Sequence, residues 1–425
     1  MDEKQRIYYV IDMKSFFASV ECAERGLDAM TTKLVVADKE RSQTSICLAV
    51  SPALKALGVK NRCRLYEIPK NLDYIIAKPR MKKYIDYATK IYEVYLKYIS
   101  PDDIHVYSID ECFIDATDYI KLYKTTAKDF VLKLISEINN TVHIPASAGI
   151  GTNLYLAKIA LDITAKHAKD RIGFLDEQKF KKELWHHKPL SDFWQISDGI
   201  SSRLQKYGIS DMEGIAKCDE ELLYKEFGVV AEFLIDHSWG KESCTMWDIK
   251  HYKGKSKSTS NSQILPCNYS FDEAKIVLKE MVLEGCYRLV KYGQKTSTVS
   301  VAVGYGDNRQ SSKASKKMRV ASNLFSMIFP YIDELYNGIV DRSRPIRKIS
   351  FDFSNLSSDK FIQNDLFTDY KKLEKEEQVV KAVLNIKEKF GKNSILKGID
   401  LNEKATQKER NNQIGGHNSG ENENA

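Results

Sequence analysis

The first 150 residues alternate between strand-like and helix-like segments in an order that few folds accommodate. Short apolar runs indicate buried strands, and apolar side chains at helical spacing indicate two amphipathic helices. The order is β-α-β-β-α-β, that of the split-βαβ, ferredoxin-like sheet. We therefore expect an α+β fold built on this sheet. The strand-like segments are residues 7–12, 104–109, 112–117 and 144–150, and the helix-like segments are residues 80–99 and 126–140.

The rest of the chain falls into recognisable stretches. An insertion at about residues 13–79 is too long for a plain connection and carries its own strand signals, so we expect a small subdomain there. Residues 175–240 resemble an all-helical segment, and residues 263–353 return to an α+β pattern with helices near 271–291 and 319–338. In the tail, residues 409–425 are polar enough to predict a disordered end.

Composition excludes several classes of protein. No run of about 18 apolar residues is present, so no transmembrane helix is expected. The N-terminus lacks the features of a secretory signal, which favours a cytoplasmic protein without membrane contact. The 8 cysteines form no CxxC pair, so neither a zinc site nor a disulfide framework is indicated. The net charge of +7 does not by itself name a partner.

Three carboxylates occupy informative places in the predicted sheet. In a split-βαβ sheet the third strand lies between the first and second, so the end of strand one sits beside the turn that joins strands two and three. Asp12 ends strand one, and Asp110 and Glu111 occupy that turn. Grouped carboxylates repel one another unless a cation compensates, and oxygen ligands favour Mg²⁺. Because aspartate is common in turns, spacing alone leaves open that these are ordinary turn residues.

At this point the residues resemble a known family. Residues 9–21 (YVIDMKSFFASVE), 107–115 (YSIDECFID) and 146–166 (ASAGIGTNLYLAKIALDITAK) resemble the motifs of Y-family DNA polymerases, the translesion enzymes. Within the family, the chain looks closest to the UmuC branch and its Gram-positive UvrX-like members. The resemblance implies a right-handed polymerase. Its implied domains are a palm at 1–15 and 83–173, fingers at 16–82, a helix-hairpin-helix thumb at 174–242, a little finger at 243–355 and a tail at 356–425.

The resemblance also implies roles for individual residues of the catalytic motifs. Asp12, Asp110 and Glu111 match the catalytic carboxylates that bind two Mg²⁺, and Met13 matches a position whose backbone carbonyl also binds metal. Phe17 matches the steric gate, whose ring would clash with a ribose 2′-hydroxyl. The alternative for Phe17 is an aromatic residue of the core, which is the interpretation that we favour for Phe16.

Basic residues match positions near the nucleotide triphosphate. Lys55 and Lys166 match triphosphate-contacting positions, and Lys158 lies in the same helix as Lys166 with a weaker case. Pro52 replaces a tyrosine that contacts phosphate in many relatives, and we expect Ser51 to supply the contact instead. Lys14 stands where some relatives carry a third acid. A solvated surface position is the alternative for each lysine.

The DNA-gripping parts are implied by a hairpin and by charge. Residues 190–210 resemble a helix-hairpin-helix in which Ser197 replaces the usual first glycine and Gly199 remains to bind phosphate. Residues 241–355 carry 19 Lys+Arg and 11 Asp+Glu, a net of +8, which leaves −1 for the rest of the chain. Such a localised excess suits the phosphates of primer-template DNA. The candidate contacts are Lys253, Lys255, Lys257, Lys316, Lys317 and Arg319.

The tail carries a short motif that resembles a partner-binding peptide. Gln363, Leu366 and Phe367 match the bacterial sliding-clamp pentapeptide Gln-x-x-Leu-Phe, with its apolar residues placed to enter a pocket. The terminal stretch RNNQIGGHNSG resembles endings of the UvrX-like group, and a RecA filament is one partner that it could contact.

These features predict a DNA-directed DNA polymerase that joins dNTPs to a primer 3′-hydroxyl during error-prone translesion synthesis in the SOS response. The alternative is a catalytically dormant DNA- and clamp-binding accessory protein that needs a partner such as RecA. A nucleotidyl cyclase sharing the palm fold is disfavoured, because a cyclase has no use for the thumb, little-finger and clamp signals.

Overall fold

The computed structural model describes residues 6–40, 45–254, 257–307, 310–359 and 369–420. The chain forms two compact units. The first runs to Tyr252 and takes in the end of the chain from His417, and the second is Lys253–Gly416. Across the described ranges, no helix combines the length and the apolar composition needed to cross a membrane.

The first unit contains a large mixed sheet, a small sheet and a helical region. Its strands in chain order are β1 (Tyr8–Met13), β2 (Leu34–Val36), β3 (Ala49–Val50), β4 (Ile75–Ala77), β5 (Ile104–Val106), β6 (Glu111–Asp115), β7 (Ala146–Gly151) and β8 (Ile172–Leu175). Its helices are α1 (Phe16–Ala23), α2 (Pro52–Ala56), α3 (Met81–Leu96), α4 (Thr117–Leu122), α5 (Ala127–Val142), α6 (Leu154–Ile159), α7 (Ala165–His167), α8 (Glu177–Leu184), α9 (Asp198–Gln205), α10 (Met212–Ala216), α11 (Glu220–Phe227), α12 (Val230–Ser238) and α13 (Met246–His251).

The large sheet has the strand order β5-β6-β1-β7-β8. Strand β6 lies between β1 and β5 and is antiparallel to both, which confirms the predicted split-βαβ topology. Strand β8 was not predicted, and it extends the sheet by pairing parallel to β7. One face of the sheet packs against α3 and α5, with Tyr84 and Phe130 among the fully buried side chains.

The other face of β7 is covered at unusually short range. A Cβ atom on Gly149 would lie 2.0 Å from the Ala157 carbonyl oxygen, and one on Gly151 would lie 2.1 Å from the Ala157 nitrogen. Only glycine permits such an approach of backbone to backbone. The glycines of the segment ASAGIG therefore bring α6, and the lysine that it carries, directly against the large sheet.

The insertion forms a small sheet of order β3-β2-β4, with its own core that includes Val35, Val50 and Leu54. Helix α1, which we assigned to the fingers, contributes Phe16 and Val20 to the same core as the large sheet.

The helical region spans α8 to α12 around a core that includes Phe180, Leu204 and Leu223. Helix α13, which follows the boundary that we predicted at residue 242, also belongs to the first unit. Met246 on α13 is buried against Tyr8 and Phe113 of the large sheet. An apolar contact between such distant segments is not visible in the local sequence.

The second unit contains a five-stranded antiparallel sheet, with four long strands and one short strand, covered by helices. Its elements are β9 (Thr259–Tyr269), α14 (Phe271–Lys291), β10 (Gln294–Tyr305), β11 (Ser311–Ser322), α15 (Phe325–Ile339), β12 (Ile346–Ser354), β13 (Ser357–Ser358), α16 (Tyr370–Phe390), α17 (Gln407–Arg410) and β14 (Gln413–Ile414), and β15 (His417–Asn418) follows in the first unit.

The main sheet of the second unit has the order β11-β10-β12-β9. Alternate residues such as Val301 and Phe351 are buried beneath α14 and α15. The expected helix near 319–338 begins only at Phe325, because residues 311–322 form strand β11. The lysines of that segment therefore alternate between the two faces of a sheet.

The prediction of a disordered end over residues 409–425 is wrong for the part that the structure describes, which extends to residue 420. The carboxylate of Glu280, which is 1% exposed on α14, accepts hydrogen bonds from the backbone N–H of Thr406 (2.9 Å) and Gln407 (3.4 Å). Arg410 contacts Gln263 and donates to the Asn261 side chain at 3.2 Å. A polar segment is ordered here because buried polar groups supply its partners.

Candidate active site

The three predicted carboxylates meet at one edge of the large sheet. Asp12 on β1 pairs in register with Glu111 on β6, so the two residues are direct neighbours across the strands. The backbone N–H of Met13 donates to the Asp110 carbonyl oxygen at 3.0 Å, which places Asp110 beside the end of β1. The Asp110 carboxylate accepts a hydrogen bond from the Ser108 hydroxyl at 2.6 Å.

The pKa of Asp12 is that of a carboxyl buried among other acids. Burial is the largest cause that raises its pKa, and the nearby charges of Asp110 and Glu111 raise it further, from 3.8 to about 7. A carboxylate in this state binds a proton readily unless a cation takes the proton's place. This edge of the sheet is therefore a place where a cation would be stabilised.

Glu111 is held by an ion pair that the sequence did not predict. Its carboxylate lies 2.8 Å from the Lys158 ammonium, which also lies 3.0 Å from the Asp162 carboxylate. Burial raises the pKa of Glu111, and Lys158 opposes that rise. Burial also lowers the pKa of Lys158, but the carboxylates of Asp162 and Glu111 outweigh burial, and the net pKa is raised.

This ion pair gives Lys158 a second candidate role. Lys158 is 7% exposed and faces the carboxylates from α6, while its contact with a triphosphate stays a prediction. It supplies a positive charge inside the acid cluster. Because the glycines of β7 let α6 approach closely, the Lys158 ammonium comes within 2.8 Å of the Glu111 carboxylate.

The donor set fits a divalent cation of the Mg²⁺ type. Carboxylate oxygens and the carbonyl of Met13 are hard oxygen ligands, the type that Mg²⁺ prefers. Among the residues described, no group of three or more His, Cys, Asp or Glu side chains already has the arrangement of a finished metal site. The raised pKa of Asp12 and the ammonium beside Glu111 both show that the cluster accommodates positive charge.

The Phe17 ring lies on a rigid support. It stacks on Tyr84 of α3 with ring centroids 4.5 Å apart and planes inclined by 18°. The Tyr84 hydroxyl donates to the fully buried carboxylate of Glu21 at 2.8 Å. The Arg80 guanidinium donates to the same carboxylate at 3.0 and 2.7 Å. Phe17 itself is partly exposed, unlike Phe16, which is buried in the core as expected.

Lys14 and Lys55 interact with the charge of Asp12, and Arg171 and Lys166 interact in turn with Lys14. Burial lowers the pKa of Lys55, while the charge of Asp12 raises it, so the ammonium and the carboxylate act on each other. Burial, and next the charges of Arg171 and Lys166, lower the pKa of Lys14. The contact of Lys55 and Lys166 with a triphosphate stays a prediction. No sequence pattern indicated Arg171, which follows α7 in a left-handed backbone conformation (φ 60). Lys14 also lies in this basic group.

Ser51 has a structural role in addition to the predicted one. Its side chain is fully buried, and its hydroxyl accepts a hydrogen bond from the Leu34 backbone N–H at 3.0 Å. Ser51 thus joins β2 to the start of α2, and its contact with a phosphate stays a prediction. Pro52 occupies the first turn of α2, where its missing N–H costs nothing.

The thumb hairpin turns at Gln195, which has the left-handed backbone (φ 70). The Ser197 hydroxyl accepts from the Ile200 N–H at 3.4 Å and caps α9. Gly199 follows as the second residue of α9, at the helix N-terminus, and its binding of phosphate stays a prediction.

The basic residues of β11 that we predicted to contact DNA do not all lie on the same face of the sheet. Lys317 pairs opposite Thr298 and is exposed on the open side of the sheet, as is Arg319. Lys316 lies on the helix-covered side, where its ammonium is 2.5 Å from the Glu334 carboxylate of α15. Strand alternation explains the difference, because adjacent residues on β11 point to opposite faces.

Two further lysines belong to that open face. Lys313 pairs opposite Ala302, and Lys348 pairs opposite Gly304, and both line the same shallow hollow with serines of β9, β10 and β12. We define the basic face as Lys313, Lys317, Arg319 and Lys348. The alternation of PIRKISFDF could have identified Lys348, since Ile349 and Phe351 are buried.

Three of the predicted DNA contacts remain. Lys253 and Lys257 are exposed, and Lys255 lies outside the described residues. The clamp-like residues Gln363, Leu366 and Phe367 also lie outside them.

Comparison with known proteins gives a consistent answer. Residues 11–162 match the impB/mucB/samB family, and residues 256–366 match the C-terminal domain of that family. UvrX of Bacillus subtilis strain 168, named for a proposed part in repair of UV damage, is 30% identical over 96% of this chain and 97% of its own length. DNA polymerase IV 2 of the same organism is 31% identical over 97% of this chain and 99% of its own.

A solved structure shares the fold. The Y-family DNA polymerase chimera Dbh-Dpo4(243-245)-Dbh superposes with a TM-score of 0.65 at 22% identity. The match covers 82% of this chain and 98% of the other chain. The α+β architecture of a right-handed polymerase is therefore confirmed.

Proposed function

The chain belongs to the Y family of DNA polymerases, in its UmuC branch, and on that premise we propose that it carries out error-prone translesion synthesis on damaged DNA as part of the SOS response. The observation that carries the proposal is the register of β1 and β6. That register makes Asp12 and Glu111 direct neighbours and brings Asp110 beside them at one sheet edge.

Asp12, Asp110, Glu111 and the Met13 carbonyl would hold two Mg²⁺ ions. When bound, such ions lower the pKa of the primer 3′-hydroxyl and stabilise the charge that develops on the leaving pyrophosphate. The protein's own part is to orient the ligands. Ser108 fixes the Asp110 carboxylate through a 2.6 Å hydrogen bond, and Lys158 holds that of Glu111 at 2.8 Å.

The incoming dNTP would lie between a basic wall and an aromatic gate. Lys55 and Lys14 beside Asp12, with Lys166 and Arg171 near Lys14, would provide positive charge for the triphosphate. Phe17, stacked on Tyr84, would exclude the 2′-hydroxyl of a ribonucleotide because its ring cannot move away from the sugar. A rigid gate discriminates by clash, which needs no hydrogen bond to the correct sugar.

The second unit would bind the DNA backbone through its basic face, with Lys253 and Lys257 as additional contacts. Phosphate contacts of this kind position a duplex without reading its sequence, which suits a polymerase that accepts any template. The Gln363, Leu366 and Phe367 peptide would bind a sliding clamp and raise the local concentration of polymerase at a primer end. We place this activity in the cytoplasm, and we retain the RecA filament as a possible activator.

Primer extension on a template carrying a single abasic site tests the proposal. The full chain is assayed with Mg²⁺ and dNTPs alone, with a sliding clamp, and with a RecA filament. We expect incorporation opposite the lesion without partners and stimulation by the clamp. Extension only in the presence of RecA would indicate partner-dependent catalysis, and no extension in any arm would favour the accessory protein instead.

A further inference from the structure

Helix α3 begins with an end that its own sequence does not satisfy. The first N–H groups of a helix have no partner within it and need acceptors from elsewhere. Arg80 stands at the N-cap position and provides no side-chain cap. The N–H of Lys82 donates instead to the carbonyl oxygen of Ser419 at 3.0 Å. The end of the chain thus supplies an acceptor that the start of α3 lacks.

The terminal segment packs closely against α3 and leaves no room for a side chain at position 420. Ser419 is 4% exposed, and the Gly420 N–H donates to the Asn418 side chain at 2.9 Å. A Cβ atom on Gly420 would lie 2.9 Å from the Arg80 Cβ and 3.1 Å from its Cα. Gly420 also has a φ of +84, which disfavours any other residue.

The terminal segment lies beside Arg80, which belongs to the group of residues that supports the Phe17 ring. Arg80, whose Cβ would lie 2.9 Å from a Cβ on Gly420, holds Glu21 through two hydrogen bonds of 3.0 and 2.7 Å. Glu21 in turn accepts from the Tyr84 hydroxyl at 2.8 Å, and Tyr84 carries the Phe17 ring. Every link in this series is a direct contact between buried or partly buried groups, so movement of Arg80 reaches Phe17 through Glu21 and Tyr84.

We propose that residues 417–420 form a C-terminal strap that docks on the first turn of α3 and holds the Arg80–Glu21–Tyr84 support under Phe17. The site is a binding site for a Ser-Gly peptide, recognised by one backbone hydrogen bond and by the absence of a side chain at Gly420. The first part of the proposal is independent of activity. Its consequence for sugar selection depends on the proposed polymerase function.

Gly420→Ala in the full-length chain tests the strap with the smallest possible change. Gly398→Ala is the matched control, because Gly398 also lies in the C-terminal segment but a Cβ there would meet nothing within 4 Å. We expect hydrogen exchange at the first turn of α3 to be about fivefold faster in Gly420→Ala, the effect of losing one hydrogen bond. The control should exchange as the parent chain does.

Two further measurements separate the parts of the proposal. A chain that lacks residues 417–425 should exchange like Gly420→Ala, and a synthetic peptide of residues 411–425 should restore its protection. In primer extension, Gly420→Ala should raise ribonucleotide relative to deoxyribonucleotide incorporation about threefold or more, because the Phe17 ring gains freedom.

Unchanged exchange at α3 in both altered chains would overturn the strap. Faster exchange with unaltered sugar selection would overturn its link to the gate. A parent chain that incorporates no nucleotide would refute the polymerase proposal, and the exchange measurement would still decide whether the strap exists.

Discussion

Replacing Lys158 with methionine would remove the ammonium inside the acid cluster and leave most of the stem in place. Lys158 and Glu111 are both about one-tenth exposed at the side chain (9% and 10%), so Lys158→Met leaves Glu111 buried without its partner. Loss of one partner of a buried ion pair typically costs about 3–5 kcal/mol. The Asp162 side chain is 30% exposed, so its ion pair adds less than about 1 kcal/mol.

We therefore expect Lys158→Met to lower the unfolding free energy of the first unit by about 3 kcal/mol in EDTA. For a unit of this size that corresponds to a fall of about 6–12 °C in the midpoint of thermal unfolding. Tryptophan fluorescence reports this unit alone, since all 4 tryptophans precede Lys253. Lys97→Met is the control, because Lys97 also pairs with a glutamate, at 3.0 Å, but is 52% exposed.

Thermal unfolding with added Mg²⁺ provides a second comparison of the two chains. A divalent cation that binds the carboxylates replaces part of the charge that Lys158 supplied, so Mg²⁺ should raise the midpoint more in Lys158→Met than in the parent chain. If Lys158→Met unfolds within about 0.5 kcal/mol of Lys97→Met in EDTA, the ion pair does not stabilise the cluster and the reasoning is refuted.

Three further changes have defined outcomes. The raised pKa of Asp12, about 7, means that the metal-free protein should lose stability as the pH rises from about 4 to about 7, and Asp12→Asn should remove that loss and be about 2 kcal/mol more stable at pH 8 by urea unfolding. Phe17→Ala should raise ribonucleotide incorporation at least about tenfold relative to dNTPs in primer extension, and an unchanged ratio would argue against the gate. Glu280→Ala should release the segment that it holds, at a cost of about 1–3 kcal/mol, so that trypsin cleaves at Lys404 and Lys408 faster than in the parent chain.

The topology of the large sheet could be predicted because it follows from local patterns in the sequence. Apolar runs located the strands, and the β-α-β-β-α-β order left one arrangement in which Asp12 and the Asp110–Glu111 turn meet. The observed pairing of Asp12 with Glu111 follows from that order alone. The family motifs added the identity of the chemistry, which the order of strands could not supply.

What the sequence could not show depends on contacts between distant segments. Whether Lys158 faces solvent or Glu111 is decided by how closely α6 approaches β7, and the burial of Ser51 is decided by its pairing with Leu34. The order of the tail depends on one buried carboxylate, Glu280, that no local pattern marks as a partner. A charge count treated Lys316 and Lys317 alike, whereas strand alternation separates them.

The central claim is that the acids at the end of β1 and at the β5–β6 turn carry out nucleotidyl transfer. The most direct test is the rate of single-turnover dNTP incorporation, with Mg²⁺, by the full chain and by Asp110→Ala, with Asp86→Ala on the exposed side of α3 as the control. The account predicts incorporation by the parent and control chains and none above background by Asp110→Ala. Incorporation by Asp110→Ala at the parent rate would contradict it.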